Sequence, residues 1–353
     1  MGSPDTQVGL GIIGCGAISN LHIRESRKDD RLRWVAACDV SPEALQARAD
    51  EYDIPGRYGS VDDLLADPAV AAVVVATPPP YHVGPTVAAL KAGKHVLVEK
   101  PIALSADEVR QMIDAQSDGL VAACCSSRFR CTETARRAAE IVASKEFGEV
   151  RRLTCTALGP PPKDLDGTKP LYLYKPNWGG LGVLGEWGCY DLDYLLGICG
   201  WSLEPKTVFA DVRRLQEVYA KEHPPLTDAE IQFSAKFRFA SGVVLDYRRA
   251  NYFAGEARNE WAVECEGGTL ALSLLPQVPQ MVVHRYIPTG IEPTVEVEGP
   301  EKWGAIHGGP VLDFVGAILE NRAPLTSLEN ALVVQRMTDA VYASAESGEA
   351  AAV

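Results

Sequence analysis

The sequence predicts an α/β fold with two domains, a doubly wound parallel sheet followed by an α/β domain with a mostly antiparallel sheet. Its 353 residues exceed the roughly 250–300 residues at which a single hydrophobic core stops growing. Up to residue 125, apolar runs alternate with helical patterns, which indicates parallel strands covered by helices. Between residues 205 and 297, apolar runs follow one another without helices, which indicates antiparallel strands. The predicted domains are therefore residues 1–125 and 126–353.

The elements of the first domain follow from apolar runs and from helix signals. The run at 70–76 is almost entirely Val and Ala, which suits a strand buried on both faces. Ser105 precedes a helical pattern with acidic residues in its first turn, as expected of a capped helix. The predicted strands are 8–13, 32–38, 70–76, 95–98 and 120–124, and the predicted helices are 17–28, 42–52, 85–92 and 105–116.

The second domain begins with a helix and a strand and then changes character. A Pro- and Gly-rich loop at 159–178 separates them from a further helix. The predicted helices are 132–144, 182–199, 310–320 and 328–347, and the predicted strands are 149–157, 207–213, 229–239, 243–249, 260–264, 269–272 and 281–286.

Composition excludes several classes of protein. The net charge of −13 disfavours nucleic acid and anionic membranes as partners. No run of 18 apolar residues occurs, and residues 1–7 carry no apolar secretory signal, so we expect a cytoplasmic protein. The nine cysteines are odd in number and form no C-x-x-C pair, which indicates free thiols in a reducing compartment and no metal site.

The first chemical motif follows the first predicted strand. It consists of Gly14-Cys15-Gly16-Ala17-Ile18-Ser19 and opens a helix. Such glycines allow a tight turn and let a pyrophosphate approach the helix N-terminus. Asp39 ends the second strand, where an acidic side chain binds ribose hydroxyls and opposes a 2′-phosphate. We predict a dinucleotide site with NAD favoured over NADP; the alternative is a nucleotide-free βαβ unit.

The second motif consists of residues at the carboxyl ends of later strands, which face the cofactor crevice in a doubly wound sheet. Glu99-Lys100-Pro101 follows one strand, so Lys100 is expected at the chemical site; the alternative is an ordinary ion pair. Thr77-Pro78 follows the preceding strand. His82, a little further on, either contributes to the cofactor site or caps and packs a helix.

The third motif is Gly179-Gly180-Leu181-Gly182 followed by a helix with Glu186 and Tyr190. These two side chains are i and i+4, so an α-helix would present them on one face. The alternative is a structural helix with a half-buried tyrosine.

Together with Arg128-Phe129-Arg130 and Phe147-Gly148-Glu149-Val150, these motifs resemble the glucose–fructose oxidoreductase/inositol dehydrogenase (Gfo/Idh/MocA) family over nearly the whole chain. The resemblance implies a Rossmann domain and an α/β domain with a large open sheet that often forms a subunit interface. It also implies nicotinamide-dependent oxidation or reduction of a sugar, cyclitol or related polyol. The family's usual Asp-x-Gly-x-His reads here with Glu186 and Tyr190, and Tyr occurs in its glucose–fructose oxidoreductase and dihydrodiol dehydrogenase branches.

The resemblance also implies residue roles. Tyr190 is expected to be the acid/base, with Lys100 favouring its phenolate, and Glu186 is expected to contact a substrate hydroxyl or a neighbouring side chain. The cofactor residues are expected to be Gly14, Gly16, Ala17, Ile18, Asp39, Thr77, Pro78, His82, Glu99 and Lys100. Sequence position, and not the resemblance, gives the further substrate candidates, which are Arg128 after the last Rossmann strand, His307 at the start of a C-terminal helix, and Tyr172, Asn177 and Trp178 in the loop at 159–178. Arg128 could instead pair with a carboxylate, and the loop could instead be a solvated connection.

Two broader expectations complete the interpretation. An antiparallel sheet with an exposed face suggests a homodimer or homotetramer. The altered third motif leaves open a non-catalytic nicotinamide-binding regulator or scaffold of the same fold, because function depends on the site and not on the fold.

Overall fold

The protein is described by a computed structural model over residues 7–160, 182–214 and 230–353. It forms two compact units. The first comprises Met1–Cys131 and Lys302–Leu332, and the second comprises Thr132–Glu301 and Val333–Val353. Residues 302–332 therefore belong to the first unit, although they follow most of the second unit in the sequence.

The first unit contains a six-stranded, wholly parallel sheet with the strand order β3-β2-β1-β4-β5-β6. The order reverses at β1, which pairs with both β2 and β4, so the predicted doubly wound sheet is confirmed. Its elements are β1 (Val8–Ile13), α1 (Ala17–Ser26), β2 (Leu32–Cys38), α2 (Pro42–Glu51), β3 (Gly56–Tyr58), α3 (Val61–Ala66), β4 (Ala72–Val75), α4 (Val83–Lys91), β5 (His95–Val98), α5 (Ala106–Ala115) and β6 (Ala122–Cys124).

The central strand β4 is buried at every position, as its Val-Ala composition predicts. On one face of the sheet the core includes Val109 and Met112 of α5. On the other face it includes Ile23 of α1 together with Phe314 of α8 (Trp303–Glu320). Each such side chain stabilises the fold by about 1.5–3 kcal/mol when fully buried, which explains why α8 belongs to the first unit.

The second unit is built on a nine-stranded sheet with the order β14-β13-β12-β11-β7-β10-β9-β8-β15. Neighbouring strands are antiparallel except β7 and β10, so the predicted mostly antiparallel sheet is confirmed. Its elements are α6 (Glu133–Ser144), β7 (Val150–Leu158), a π-helical segment (Leu184–Gly188), α7 (Cys189–Ile198), β8 (Pro205–Arg214), β9 (Glu230–Phe239), β10 (Val244–Ala250), β11 (Arg258–Cys265), β12 (Gly268–Leu272), β13 (Met281–Ile287), β14 (Gly290–Val297), α9 (Leu328–Ser347, shared with the first unit) and β15 (Ala351–Ala352).

Several elements differ from the sequence prediction. Strands β3 and β15 and helix α3 were not predicted, because each has six residues or fewer and gives too short a periodic pattern. Strand β14 was not predicted, because its side chains are largely exposed and Pro293 resembles a turn signal; Pro is tolerated there because β14 is an edge strand. Helix α8 begins at Trp303, whereas Pro310, the predicted start, lies inside it. Residues 184–188 are π-helical, whereas an α-helix was predicted. Within the described ranges, no helix combines the length and apolar character needed to cross a bilayer.

Candidate active site

The turn after β1 has room only for glycine at its first position. Gly14 has a φ of +97°, and its N–H donates to the Cys38 carbonyl at 2.8 Å. A Cβ on Gly14 would lie 2.7 Å from the carbonyl atoms of Ala76. Since those atoms are backbone at the end of β4, the loop and the strand can approach each other only in the absence of a side chain.

Gly16 serves a different purpose. It is the N-cap of α1, and a Cβ built on it would meet nothing within 4 Å. No side chain caps α1, its first turn carries no acidic residue, and Gly16 and Ala17 are exposed. The N–H groups around Ala17 and Ile18 therefore carry a partial positive charge that suits an anion. This open cradle fits the pyrophosphate of a dinucleotide.

Asp39 is held beside this turn by two backbone hydrogen bonds. Its Oδ2 accepts from the Cys15 N–H at 2.7 Å, and its Oδ1 accepts from the Ser41 N–H at 2.8 Å. The carboxylate is thus fixed next to the glycine loop, where its remaining lone pairs suit ribose hydroxyls.

Arg48, which lies on α2, is not among the predicted site residues. Its side chain donates to the Gly16 carbonyl at 3.2 Å and to the Ser19 hydroxyl at 3.1 Å. It therefore places a guanidinium beside the anion cradle, and the same guanidinium pairs with Glu51. No motif spacing relates Arg48 to Gly16, because the two meet only through packing of α1 against α2.

The Lys100 loop, residues 99–102, is anchored by the carboxylate of Glu99. This buried group accepts from His22 Nε2 and from Arg128 Nη2, both at 2.7 Å, and from the Lys100 N–H at 2.8 Å. Burial raises the pKa of Glu99, but the charge of Arg128 and the hydrogen bond from His22 outweigh it and hold this pKa well below its usual range. Glu99 is therefore ionised, and its oxygens serve to position the Lys100 loop.

His22, Glu99 and Cys125 bring potential metal ligands within 4.8 Å of one another. The guanidinium of Arg128 pairs with the Glu99 carboxylate, with Nη2 and Oε1 2.7 Å apart, so the charge of Glu99 is already neutralised by a side chain. We therefore interpret His22, Glu99 and Arg128 as an ion-pair network and not as a metal site.

His82 lies in the interior and holds the other end of the Lys100 loop. Its Nε2 lies 2.7 Å from the Thr77 carbonyl, and its Nδ1 lies 2.9 Å from the Pro101 carbonyl. Burial lowers the pKa of His82 in spite of these carbonyl oxygens. Its ring thus contacts backbone oxygens and joins the end of β4, where Thr77 and Pro78 lie, to the Lys100 loop.

His307 lies in the first unit on α8. Its Nδ1 is 2.9 Å from the Trp303 carbonyl, and burial together with the positive charge of Arg128 lowers its pKa. His307 and Arg128 are both buried, and Arg128 pairs with Glu99, one of the two roles predicted for it.

The Tyr190 helix, residues 184–198, is held in the second unit by Glu230. The buried carboxylate of Glu230 accepts from the N–H groups of Gly182, Leu184 and Gly185. Burial raises the pKa of Glu230 against the effect of these hydrogen bonds. A Cβ on Gly182 would lie 2.0 Å from the Glu230 carbonyl oxygen, so only glycine fits there. Tyr190 is buried on this helix, and Glu186 is half-buried in the π-helical segment.

A second buried carboxylate lies directly after Tyr190. Asp191 accepts hydrogen bonds from Tyr247 at 2.6 Å, from Trp261 at 2.9 Å and from both Nε and Nη2 of Arg249. Sequence reasoning did not single out Asp191 or Arg249, because they lie 58 positions apart and meet only when α7 packs on β10.

Sequence comparison decides the family. A model described as an oxidoreductase family with an NAD-binding Rossmann fold matches residues 8–121, and the model of the Gfo/Idh/MocA C-terminal domain matches residues 135–271. The chain belongs to the Gfo/Idh/MocA oxidoreductase family. It is accordingly an NAD(P)-dependent oxidoreductase, which confirms the predicted family, enzyme class and cofactor.

Curated proteins similar to this chain are named as oxidoreductases or dehydrogenases. An uncharacterised oxidoreductase of Rhizobium meliloti is 31% identical over 64% of this chain and 65% of its own length, slightly under two thirds of that protein. The D-xylose 1-dehydrogenase (NADP(+)) 2 of Haloferax volcanii is 26% identical over 97% of this chain and 98% of its own. The myo-inositol 2-dehydrogenase of Thermotoga maritima is 27% identical over 69% of each chain.

Solved structures show the same fold. An oxidoreductase domain protein from Kribbella flavida matches with a TM-score of 0.82 at 23% identity over 99% of both chains. An NAD-binding oxidoreductase from Klebsiella pneumoniae matches with a TM-score of 0.84 at 22% identity, again over 99% of both.

The Gfo/Idh/MocA motifs are distributed over the two units. The dinucleotide cradle, Asp39, the Lys100 loop and His307 lie in the first, and Glu186 and Tyr190 lie in the second. The predicted substrate residues Tyr172, Asn177 and Trp178 lie outside the described residues.

Proposed function

We propose that this chain transfers hydride between a nicotinamide cofactor and a hydroxyl or carbonyl carbon of a sugar, glycoside, cyclitol or related polyol, with Tyr190 as acid/base. The observation that carries this proposal is the anchoring of the two motif residues. Glu99 fixes the backbone at Lys100, and Glu230 fixes the start of the Tyr190 helix. Both side chains thus belong to rigidly held backbone, as proton handling requires.

The protein's own residues would supply binding and proton transfer. Bound NAD(P) supplies the hydride chemistry. The cradle at Gly16 would hold the pyrophosphate and Asp39 the adenosine ribose. Tyr190 would take the proton of the substrate hydroxyl during oxidation and return it during reduction. The ordinary pKa of tyrosine is about 10; a cation favours the phenolate, and this is the role we assign to Lys100.

The substrate class follows from the relatives and from the chemistry of the third motif. The D-xylose and myo-inositol dehydrogenases act on polyhydroxylated rings or chains, and Glu186 offers a half-buried carboxylate that can accept hydrogen bonds from such hydroxyls. We assign Glu186, Arg128, His307, Tyr172, Asn177 and Trp178 to substrate recognition as candidates for substitution.

Turnover measured at 340 nm with NAD or NADP and a panel of sugars and cyclitols tests the proposal. Tyr190→Phe and Lys100→Ala should each lower turnover by about 10²–10⁴-fold while the cofactor still binds. Tyr194→Phe is the matched control, because Tyr194 lies on the same helix and its hydroxyl has no hydrogen-bond partner among the described residues. Near-normal turnover in Tyr190→Phe would remove Tyr190 from this role. Cofactor binding without turnover of any panel member would favour the regulator alternative.

We also propose a homodimer or homotetramer in the cytoplasm. The outer strands of the second unit expose large apolar side chains, among them Phe209, Tyr286, Ile291 and Val295. Tyr286, Ile291 and Val295 lie together on β13 and β14, whereas Phe209 lies on β8 toward the other end of the sheet. Exposed apolar surface such as that on β13 and β14 is typical of subunit interfaces. Light scattering of the purified protein measures the oligomeric state, and a monomer at micromolar concentration would contradict it.

A further inference from the structure

Trp187 lies between the buried Asp191 network and the ring of Tyr190. It belongs to the π-helical segment three residues before Tyr190. The two rings meet edge-on, with centroids 5.8 Å apart and an interplanar angle of 65°. This is a favourable aromatic arrangement, so the orientation of Trp187 limits the tilt available to the Tyr190 ring.

Trp187 is itself held in place by a cation. The guanidinium carbon of Arg249 lies 4.8 Å from the centroid of the Trp187 ring. Arg249 is buried on β10, and a desolvated guanidinium over an indole is attracted by the negative face of the ring. The indole therefore has one preferred position relative to the sheet.

Arg249 is fixed in turn by Asp191. Its Nε and Nη2 donate to the two carboxylate oxygens at 2.7 and 2.9 Å, a bidentate geometry that leaves little freedom. Tyr247 and Trp261 donate to the same fully buried carboxylate. Since the charges of Asp191 and Arg249 cancel, the network exerts its influence on Tyr190 through geometry.

We propose that Trp187 and Arg249 are positioning residues that set the orientation of the Tyr190 ring for proton transfer. This inference rests on the proposed function of Tyr190. Asp191 holds Arg249, Arg249 holds the plane of Trp187, and the edge of Trp187 holds Tyr190. Misplacement of a reacting group by about 1 Å costs on the order of 10²-fold in rate, so loss of this support should lower kcat.

A double-mutant cycle tests the proposal. Trp187→Leu removes the aromatic contact, and we expect kcat to fall by roughly 10- to 100-fold with the KM for the cofactor unchanged. In the Tyr190→Phe background, the same substitution should change kcat by less than about 2-fold, because Trp187 would act only through the Tyr190 hydroxyl. Trp187→Phe keeps an aromatic edge and should recover most of the loss.

Three outcomes are distinguishable. Equal fold losses from Trp187→Leu in both backgrounds, or unchanged kcat in Trp187→Leu, would overturn the positioning role. Normal turnover in Tyr190→Phe would overturn the proposed function, and the positioning role would fall with it. Arg249→Lys keeps the charge but loses the bidentate and stacked geometry, so it should lower kcat like Trp187→Leu. Thermal unfolding of each variant confirms that the assays are made on folded protein.

Discussion

The Lys100 loop and the Tyr190 helix each contain a buried ion pair beside the motif residue, but the two pairs contact that residue differently. In each, a buried carboxylate adjacent in sequence to the motif residue pairs with a buried arginine: Glu99 with Arg128, and Asp191 with Arg249. Glu99 accepts directly from the backbone N–H of Lys100. In the arrangement proposed above, Asp191 acts on Tyr190 through Arg249 and Trp187.

The two carboxylates therefore constrain different features, the backbone position of Lys100 and the ring orientation of Tyr190. A backbone anchor fixes where the Lys100 side chain begins. A chain of packed side chains fixes the orientation of an aromatic ring, which has only two rotatable bonds. A cation can act at a range of positions, whereas proton transfer needs a defined distance and angle.

The largest predicted loss of stability is that caused by replacing Arg249, and we expect it to exceed the loss caused by replacing Arg128. Arg249→Met should lower the free energy of unfolding by about 4 kcal/mol, because it leaves Asp191 buried with only neutral donors. Arg128→Met should cost less, about 2 kcal/mol, since Glu99 keeps the nearby positive charge of Lys100 in addition to two hydrogen-bond donors. Urea denaturation monitored by circular dichroism measures both. Equal losses would show that the two ion pairs are energetically equivalent.

The pH dependence of stability reports the contribution of the Glu99 charge. Because the pKa of Glu99 is lowered in the folded state, its ionised form stabilises the protein above the unfolded carboxyl pKa of about 4.3. That contribution is lost as the pH falls through the folded-state pKa. Glu99→Gln should therefore be less stable than wild type by about 2 kcal/mol at pH 7.

The matching measurement is urea denaturation at pH 7 and at successively lower pH. The difference between wild type and Glu99→Gln should narrow below about pH 4. A difference that stays constant would mean that the charge of Glu99 contributes nothing to stability.

The smallest expected effect is that of Tyr194→Phe on stability. The Tyr194 hydroxyl is buried, and within the described residues it has no hydrogen-bond partner. Removing an unpaired buried hydroxyl should leave stability unchanged or raise it by up to about 1 kcal/mol. Thermal and urea unfolding measure this, and a loss above about 1 kcal/mol would reveal a partner for the hydroxyl.

Much of the fold was predictable because local signals determine it. The strands 8–13, 32–38 and 95–98 were placed at their observed bounds, since each is a compact apolar run. Ser105 accepts from the helix that it precedes, as predicted, whereas Thr132, predicted as the first residue of its helix, is the N-cap.

The remaining features depend on contacts that sequence spacing does not encode. The π-helical segment carries no distinct local signature, so it was predicted as part of an α-helix. The attachment of α8 to the first unit depends on Phe314 meeting Ile23 across nearly the whole chain. Arg128 could be suspected because it follows a Rossmann strand, whereas Arg249 is one of several arginines in a sheet and has no pattern that marks it.

The return of residues 302–332 to the first unit has a consequence for biosynthesis. A ribosome releases the N-terminus first, and domains generally fold as units in that order. Here the first unit lacks α8 until the chain has been made as far as Glu320. The surface around Leu10, Ile12 and Ile23 that α8 covers stays uncovered throughout that time. The nascent chain therefore carries an exposed apolar surface that chaperones can recognise, and residues 1–131 expressed alone lack one layer of their core.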